Sequence, residues 1–195
     1  MRESNRSEME NGTPQYSKMT LAFIGDSLTE AFDWQHRFPP HRILNLGISG
    51  EPIEGLVNRV LEGCFSGVRP DMLFVMTGIN NLRRGDHAIA ERQERLLSVL
   101  HRLLPDTRIV IQSILPVTMW VPCAIIEALN AGLQKMAGDF SMAYLDLYPL
   151  FLTHDGLPDV ACFEEDGIHL TPEGYRRWSG AVARFLEDQS LTSGV

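Results

Sequence analysis

Five short, nearly continuous apolar runs punctuate the chain, at residues 20–25, 42–46, 71–77, 108–114 and 143–147. Each has the length of a strand. None alternates polar with apolar as a half-exposed strand does, and strands covered on both faces read this way. Amphipathic stretches follow them, at 29–38, 52–64, 87–104, 125–138 and 172–188. In the third of these, Leu96, Leu97, Leu100, Leu103 and Leu104 recur at helical spacing. Pro52 and Pro172 stand where a first helical turn begins, a place that tolerates the missing N–H, and Thr171 is placed to cap the last helix. Strand–helix alternation predicts an α/β domain: a five-stranded parallel sheet with helices on both faces, linked by right-handed crossovers. In such sheets the site lies beyond the carboxyl ends of the strands. Residues that carry chemistry should therefore sit just after strands, however far apart they are in sequence.

Composition narrows the function classes. The 195 residues, 44% of them hydrophobic, suit one domain with a sizeable core. Residues 1–18 are polar and read as a flexible leader, 19–189 as the single domain, and 190–195 as a frayed end. The leader has no apolar segment of the kind a secretory signal needs. No run approaches the ~20 apolar residues that span a bilayer, so no integral membrane association is expected. A net charge of −8 argues against a general nucleic-acid binder, which needs a basic face to displace counterions. The three cysteines, Cys64, Cys123 and Cys162, are widely spaced and odd in number. That usage suits a reducing, cytoplasmic setting better than a disulfide framework. With no C-x-x-C pair, no zinc site of that type is expected.

Three segments satisfy the strand-end criterion, and a fourth lies in the final loop. After the first strand, Gly25-Asp26-Ser27-Leu28-Thr29 puts Ser27 in a tight turn at a helix N-terminus, where unpaired backbone N–H groups favour negative charge. Ser27 is a candidate nucleophile there, or simply a helix cap; Asp26 is read as holding the turn. After the second strand, Asn45-Leu46-Gly47-Ile48-Ser49-Gly50 offers the Gly50 N–H where a side chain would obstruct substrate, or a plain turn. After the third, Thr77-Gly78-Ile79-Asn80-Asn81 offers an Asn80 amide to a developing oxyanion, or a Gly-Asn turn. Near the end, Asp166-Gly167-Ile168-His169 supplies a base with a carboxylate three residues earlier to fix its tautomer; alone, it reads equally as a surface histidine beside an acidic run. The other histidines lack that spacing. Taken together the four provide a nucleophile, a base with its orienter, and N–H donors, an inventory that unrelated turns would not be expected to complete.

In this order the blocks resemble those of the SGNH hydrolases, also called GDSL lipases or esterases, from about Leu21 to Phe185. The resemblance implies Ser27 as nucleophile, His169 as base and Asp166 as its support. It implies the Ser27 N–H, Gly50 N–H and Asn80 side chain as an oxyanion hole. It further implies a three-layer, flavodoxin-like α/β/α domain, no cofactor, and a small-molecule ester as substrate. Two positions depart from the usual pattern. Asn81 replaces the aspartate of G-x-N-D, and Glu51-Pro52 replace an aspartate and a small hydroxyl residue. The T-x-x-N-N string is similar to the α-subunit branch of the platelet-activating-factor acetylhydrolases and tilts the expected acyl group towards short chains. Neither a G-x-S-x-G elbow nor a Walker A loop occurs, which disfavours an α/β-hydrolase fold and a phosphate loop.

The substrate pocket is less legible. Residues 115–122 follow the fourth strand, so Met119 and Trp120, with Asn81, are candidate pocket residues. Met119 and Trp120 serve equally well as core, or as an exposed patch for a homodimer. Trp34 and Phe38 read as core. The competing functions are a thioesterase or carbohydrate O-deacetylase on the same scaffold and, from another class, a flavodoxin-like module that binds without chemistry.

Overall fold

The computed structural model describes residues 18–118 and 121–192. Five strands, β1 (Thr20–Gly25), β2 (Arg42–Gly47), β3 (Met72–Met76), β4 (Arg108–Gln112) and β5 (Ala143–Leu145), form one sheet in the order β2-β1-β3-β4-β5. Every pairing is parallel. This is the flavodoxin-like order, which reverses between β1 and β3 and opens a crevice there.

Alternate residues of the strands feed two separate cores, as the period of two demands. Phe23, Phe74 and Val110 face one side, packed with Trp34, Trp178 and Phe151. Phe23 stacks on Trp34 at 4.0 Å and on Phe74 at 4.9 Å, and Trp178 meets Trp34 edge-on at 5.0 Å. Trp34 and Phe38 are thus core, as the sequence suggests. Ile24, Val75 and Ile111 face the other side, against Ile53, Leu56, Leu97 and Leu100.

Among the described residues, seven α-helices complete the layers: α1 (Ser27–Glu30), α2 (Trp34–Arg37), α3 (Ile53–Leu61), α4 (Ile79–Arg83), α5 (Ile89–Leu103), α6 (Cys123–Asp139) and α7 (Pro172–Thr192). Several features differ from the sequence-based expectation. The single helix expected at 29–38 is two short ones. Asn45 Nδ2 takes up the carbonyls of Glu30 and Phe32 that a continuous helix would use, and Asp33 caps α2 by accepting from the His36 N–H at 2.9 Å. The 77–81 segment is not merely a turn, because α4 begins at Ile79. Strand β4 stops at Gln112 because the buried Asn130 side chain bonds both the N–H and the C=O of Ile114, each at 2.8 Å. The last helix runs on to Thr192, and its first turn is held by Thr171 Oγ1, which accepts from the Gly174 N–H. Residues 1–17, Met119 and Trp120 lie outside the described residues, so the leader and two of the expected pocket residues do too.

Candidate active site

Three of the segments follow the carboxyl ends of β1, β2 and β3, and the fourth, the loop before α7, joins the first of them. Helix α1 starts two residues earlier than the sequence suggests, with Ser27 as its first residue. The cap is Asp26, whose Oδ1 accepts from the Leu28 N–H at 3.1 Å. Ser27 Oγ is therefore not spent on capping. It shares a 3.0 Å hydrogen bond with Nε2 of His169, 142 residues away. Nδ1 of the same ring is hydrogen-bonded to Asp166 Oδ2. The other Asp166 oxygen accepts from the N–H groups of Ile168 and His169, at 3.0 and 2.9 Å. One carboxylate thus fixes both the ring and the backbone that carries it. Desolvation would raise the Asp166 carboxyl. The hydrogen bonds from the His169 ring and from the two backbone N–H groups outweigh it and hold the group at about 2. An ionised Asp166 selects the tautomer with the proton on Nδ1, leaving Nε2 as the acceptor that faces the serine hydroxyl.

Asp26 shows the opposite shift. Its second oxygen is buried without a hydrogen-bond partner among the described residues. Burial pushes the carboxyl up to about 6, against the lowering effect of the Leu28 N–H and the nearby His169. Asp26 holds the turn, as the sequence implies. Tyr175 of α7 ties the same helix down by donating its hydroxyl to the Leu28 carbonyl at 3.0 Å.

Gly50 and Asn80 lie on the segments that follow β2 and β3, the two strands that flank β1. Gly50 adopts φ +75°, a conformation that strains other residues, and a Cβ there would meet no protein atom within 4 Å. Gly78, which precedes α4, has φ +129°, and a Cβ on it would lie 2.8 Å from Ile114. The positive φ is what requires glycine in the turn that leads Asn80 into the first turn of α4. Asn80 is buried and donates one amide hydrogen to the Glu51 carbonyl at 3.2 Å.

Asn81, expected among the pocket residues, spends its side chain on bonds between elements. Its Oδ1 accepts from the Ile53 N–H at 2.9 Å, and its Nδ2 donates to Glu54 at 2.9 Å and Asp86 at 2.8 Å. Buried and fully engaged, it anchors the start of α3 to the turn after α4. This explains what an amide does where a carboxylate is usual: it faces two carboxylates and one N–H, and only an amide can both donate and accept there. The segment after β4 does border the site. Leu115, Pro116 and Val117, with Asp26, Leu28, Thr77, Ile79 and Ile168, enclose a cavity of about 10 Å³. The Thr118 N–H donates to the Gly167 carbonyl, fastening this wall to the histidine loop.

Two groups near the site escape a reading of motifs. Glu30 accepts from both the N–H and the hydroxyl of Ser49. Glu51 forms a forked ion pair with Arg59. Each joins residues on different elements, so no local pattern marks it; for Glu51 the one signal is that it departs from the usual block. Among the described residues, no helix is long and apolar enough to cross a membrane, and Cys64, Cys123 and Cys162 are all free thiols.

The model of the GDSL-like lipase/acylhydrolase family matches residues 23–177. The chain is 25% identical over 168 residues to platelet-activating factor acetylhydrolase IB subunit alpha2 of Rattus norvegicus, covering 80% of this chain and 71% of that one. An acetyl xylan esterase from Geobacillus stearothermophilus superposes with a TM-score of 0.72 at 20% identity, over 87% of this chain and 95% of the other. A GDSL-like lipase from Bacteroides thetaiotaomicron gives 0.70 at 18% identity, over 88% and 89%. At these identities the structural likeness is one of fold.

Proposed function

The chain belongs to the GDSL-like lipase/acylhydrolase family and is a carboxylic ester hydrolase, and on that premise we propose that it cleaves esters of short acyl groups through Ser27, His169 and Asp166. The observation that carries this reading is the continuous hydrogen-bonded chain from Ser27 Oγ through both nitrogens of His169 to Asp166. Ser27 Oγ attacks the ester carbonyl carbon while Nε2 of His169 takes its proton. The carbonyl oxygen becomes an oxyanion, held by the N–H groups of Ser27 and Gly50 and by the amide hydrogen of Asn80 not given to Glu51. The C–O bond to the leaving group breaks, and His169 returns the proton to the departing alkoxide. Water then attacks the acyl-enzyme by the same route, releasing the acid and restoring Ser27. Asp166 orients the ring and stabilises the imidazolium in both halves.

The relatives named for acetyl esters support a short acyl group. Asp26 and Leu28, on either side of Ser27, line a mostly apolar cavity with Ile79, Leu115 and Val117.

The test begins with a fluorophosphonate label. Wild type should be modified at Ser27 and lose activity. Ser27→Ala should take no label and turn over no ester; persistent labelling of that variant would reject the assignment. No adduct on the wild type would favour a module that binds without chemistry. Acetyl, butyryl and longer p-nitrophenyl esters, acetylated sugars and acyl-CoA then separate a short-chain esterase from a carbohydrate O-deacetylase and a thioesterase.

A further inference from the structure

The loop at residues 48–51 must hold the Gly50 N–H to within a fraction of an ångström if it is to meet an oxyanion. Loops do not hold still unaided. Two attachments act on this one from opposite sides. Towards α1, Ser49 bonds Glu30 through its N–H at 2.9 Å and its hydroxyl. Towards α3, the Arg59 guanidinium grips Glu51 with Nε at 3.1 Å from Oε1 and a terminal nitrogen at 2.7 Å from Oε2. That terminal nitrogen also donates to the Leu46 carbonyl near the end of β2, at 2.9 Å.

The second attachment has several properties that the first lacks. It is shielded, with the two side chains only 19% and 10% exposed. It is forked, which fixes orientation as well as distance. Its anchor, Arg59, lies on a helix packed on the sheet through Leu56, Val57 and Val60. Above all, Glu51 is where the two proposed side donors meet. Its backbone follows Gly50 directly, and its carbonyl accepts from Asn80 Nδ2.

The geometry points to the Arg59–Glu51 ion pair as the positioning device for the oxyanion donors, passing the fixed place of α3 to Gly50 on one side and Asn80 on the other. Arg59 and Glu51 are positioning residues: the pair acts through Gly50 and Asn80. The inference rests on the reading that those two groups bind the oxyanion. It also explains the departure from the usual second block. A glutamate at 51 is long enough to meet Arg59 in the last turns of α3, and Pro52 ends the loop at the cap position of that helix. A shielded ion pair of this kind need not add to stability, because desolvation offsets its attraction. Its consequence is expected in catalysis.

The experiment measures p-nitrophenyl acetate hydrolysis by Arg59→Met, Arg59→Lys and Asn80→Ala, alone and in the Arg59→Met/Asn80→Ala pair. Arg59→Met should lower kcat by about ten- to a hundredfold, the scale of a misplaced group, with KM little changed. Arg59→Lys keeps the charge but not the fork and should recover part of the loss. In the Asn80→Ala background the Arg59→Met penalty should shrink, since one donor it positions is already gone. An unchanged kcat in Arg59→Met, or a penalty that multiplies in full with Asn80→Ala, overturns the inference while leaving the parent reading intact. A wild-type kcat in Asn80→Ala removes the parent reading and the inference with it. Should Arg59→Met fail to fold, Glu51→Gln, which keeps shape and loses charge, carries the same expectation.

Discussion

At the residue scale, Asp26 and Asp166 show how two carboxylates near one histidine acquire opposite properties. Asp166 is half-exposed and surrounded by donors, and it stays ionised. Asp26 is 1% exposed with one oxygen unpartnered, and its carboxyl rises to about 6. The stability consequence has a definite sign. A carboxyl whose folded value exceeds the unfolded value of about 3.9 binds more protons in the folded state, so stability falls as pH rises from about 4 to 6 and stays lowered above. Asp26→Asn keeps an oxygen to cap α1 and removes the buried charge. It should match wild type near pH 4 and exceed it at pH 8 by up to roughly 3 kcal/mol. Urea unfolding at the two pH values checks this, and a gain that is the same at both would mean that Asp26 carries no ionisation penalty. Asp166 works in reverse: its contribution is present above about pH 4 and is lost as pH falls towards 2.

At the scale of elements, Asn81 is the instructive case. From sequence it sits beside Asn80 and shares its apparent role, yet adjacent residues of a helix diverge by about 100°. Asn80 turns to the Glu51 loop and Asn81 to the start of α3. Asn81→Ala should therefore strand the buried Ile53 N–H and release Glu54 and Asp86. The expected cost is about 1–3 kcal/mol in a denaturant titration, with kcat close to wild type at temperatures where the protein is folded. A kcat loss on the scale of Asn80→Ala would return Asn81 to the site. The same contrast marks what the sequence makes legible. Strand positions were readable because burial on both faces leaves an unbroken apolar run, as in residues 21–24 and 72–76. The split between α1 and α2 was not, since it depends on Asn45 of the next strand reaching back to Glu30 and Phe32. Helix α4 was hidden because Gly78 and the two asparagines are also what a turn needs. Ser27, Gly50, Asn80 and His169 stood out because each follows a strand or a loop with a recognisable composition. Arg59 did not, since its partner is chosen by the packing of α3.

At the scale of the molecule, a 2-1-3-4-5 sheet gathers these groups without any one loop supplying them all. The crevice beside β1 receives Ser27 from β1 and Gly50 from the end of β2, and Asn80 enters from β3. The surrounding helices rest on cores on opposite faces of the sheet: α2 in the cluster where Trp34 stacks on Phe23 and meets Trp178 edge-on, α3 over Ile24 and Val75. The histidine arrives from the chain just before α7, itself seated by Trp178, whose indole N–H donates to Gln112 at 2.7 Å. The placing of the Ser27–His169 hydrogen bond is thus a property of both layers together, and loosening either should be felt there.

The hydroxyl of Ser27 and the imidazole of His169 lie 142 residues apart in the chain, so their hydrogen bond closes a loop through nearly the whole sheet. It exists only while the segment before α7 stays docked, and any opening that frees that segment parts the pair.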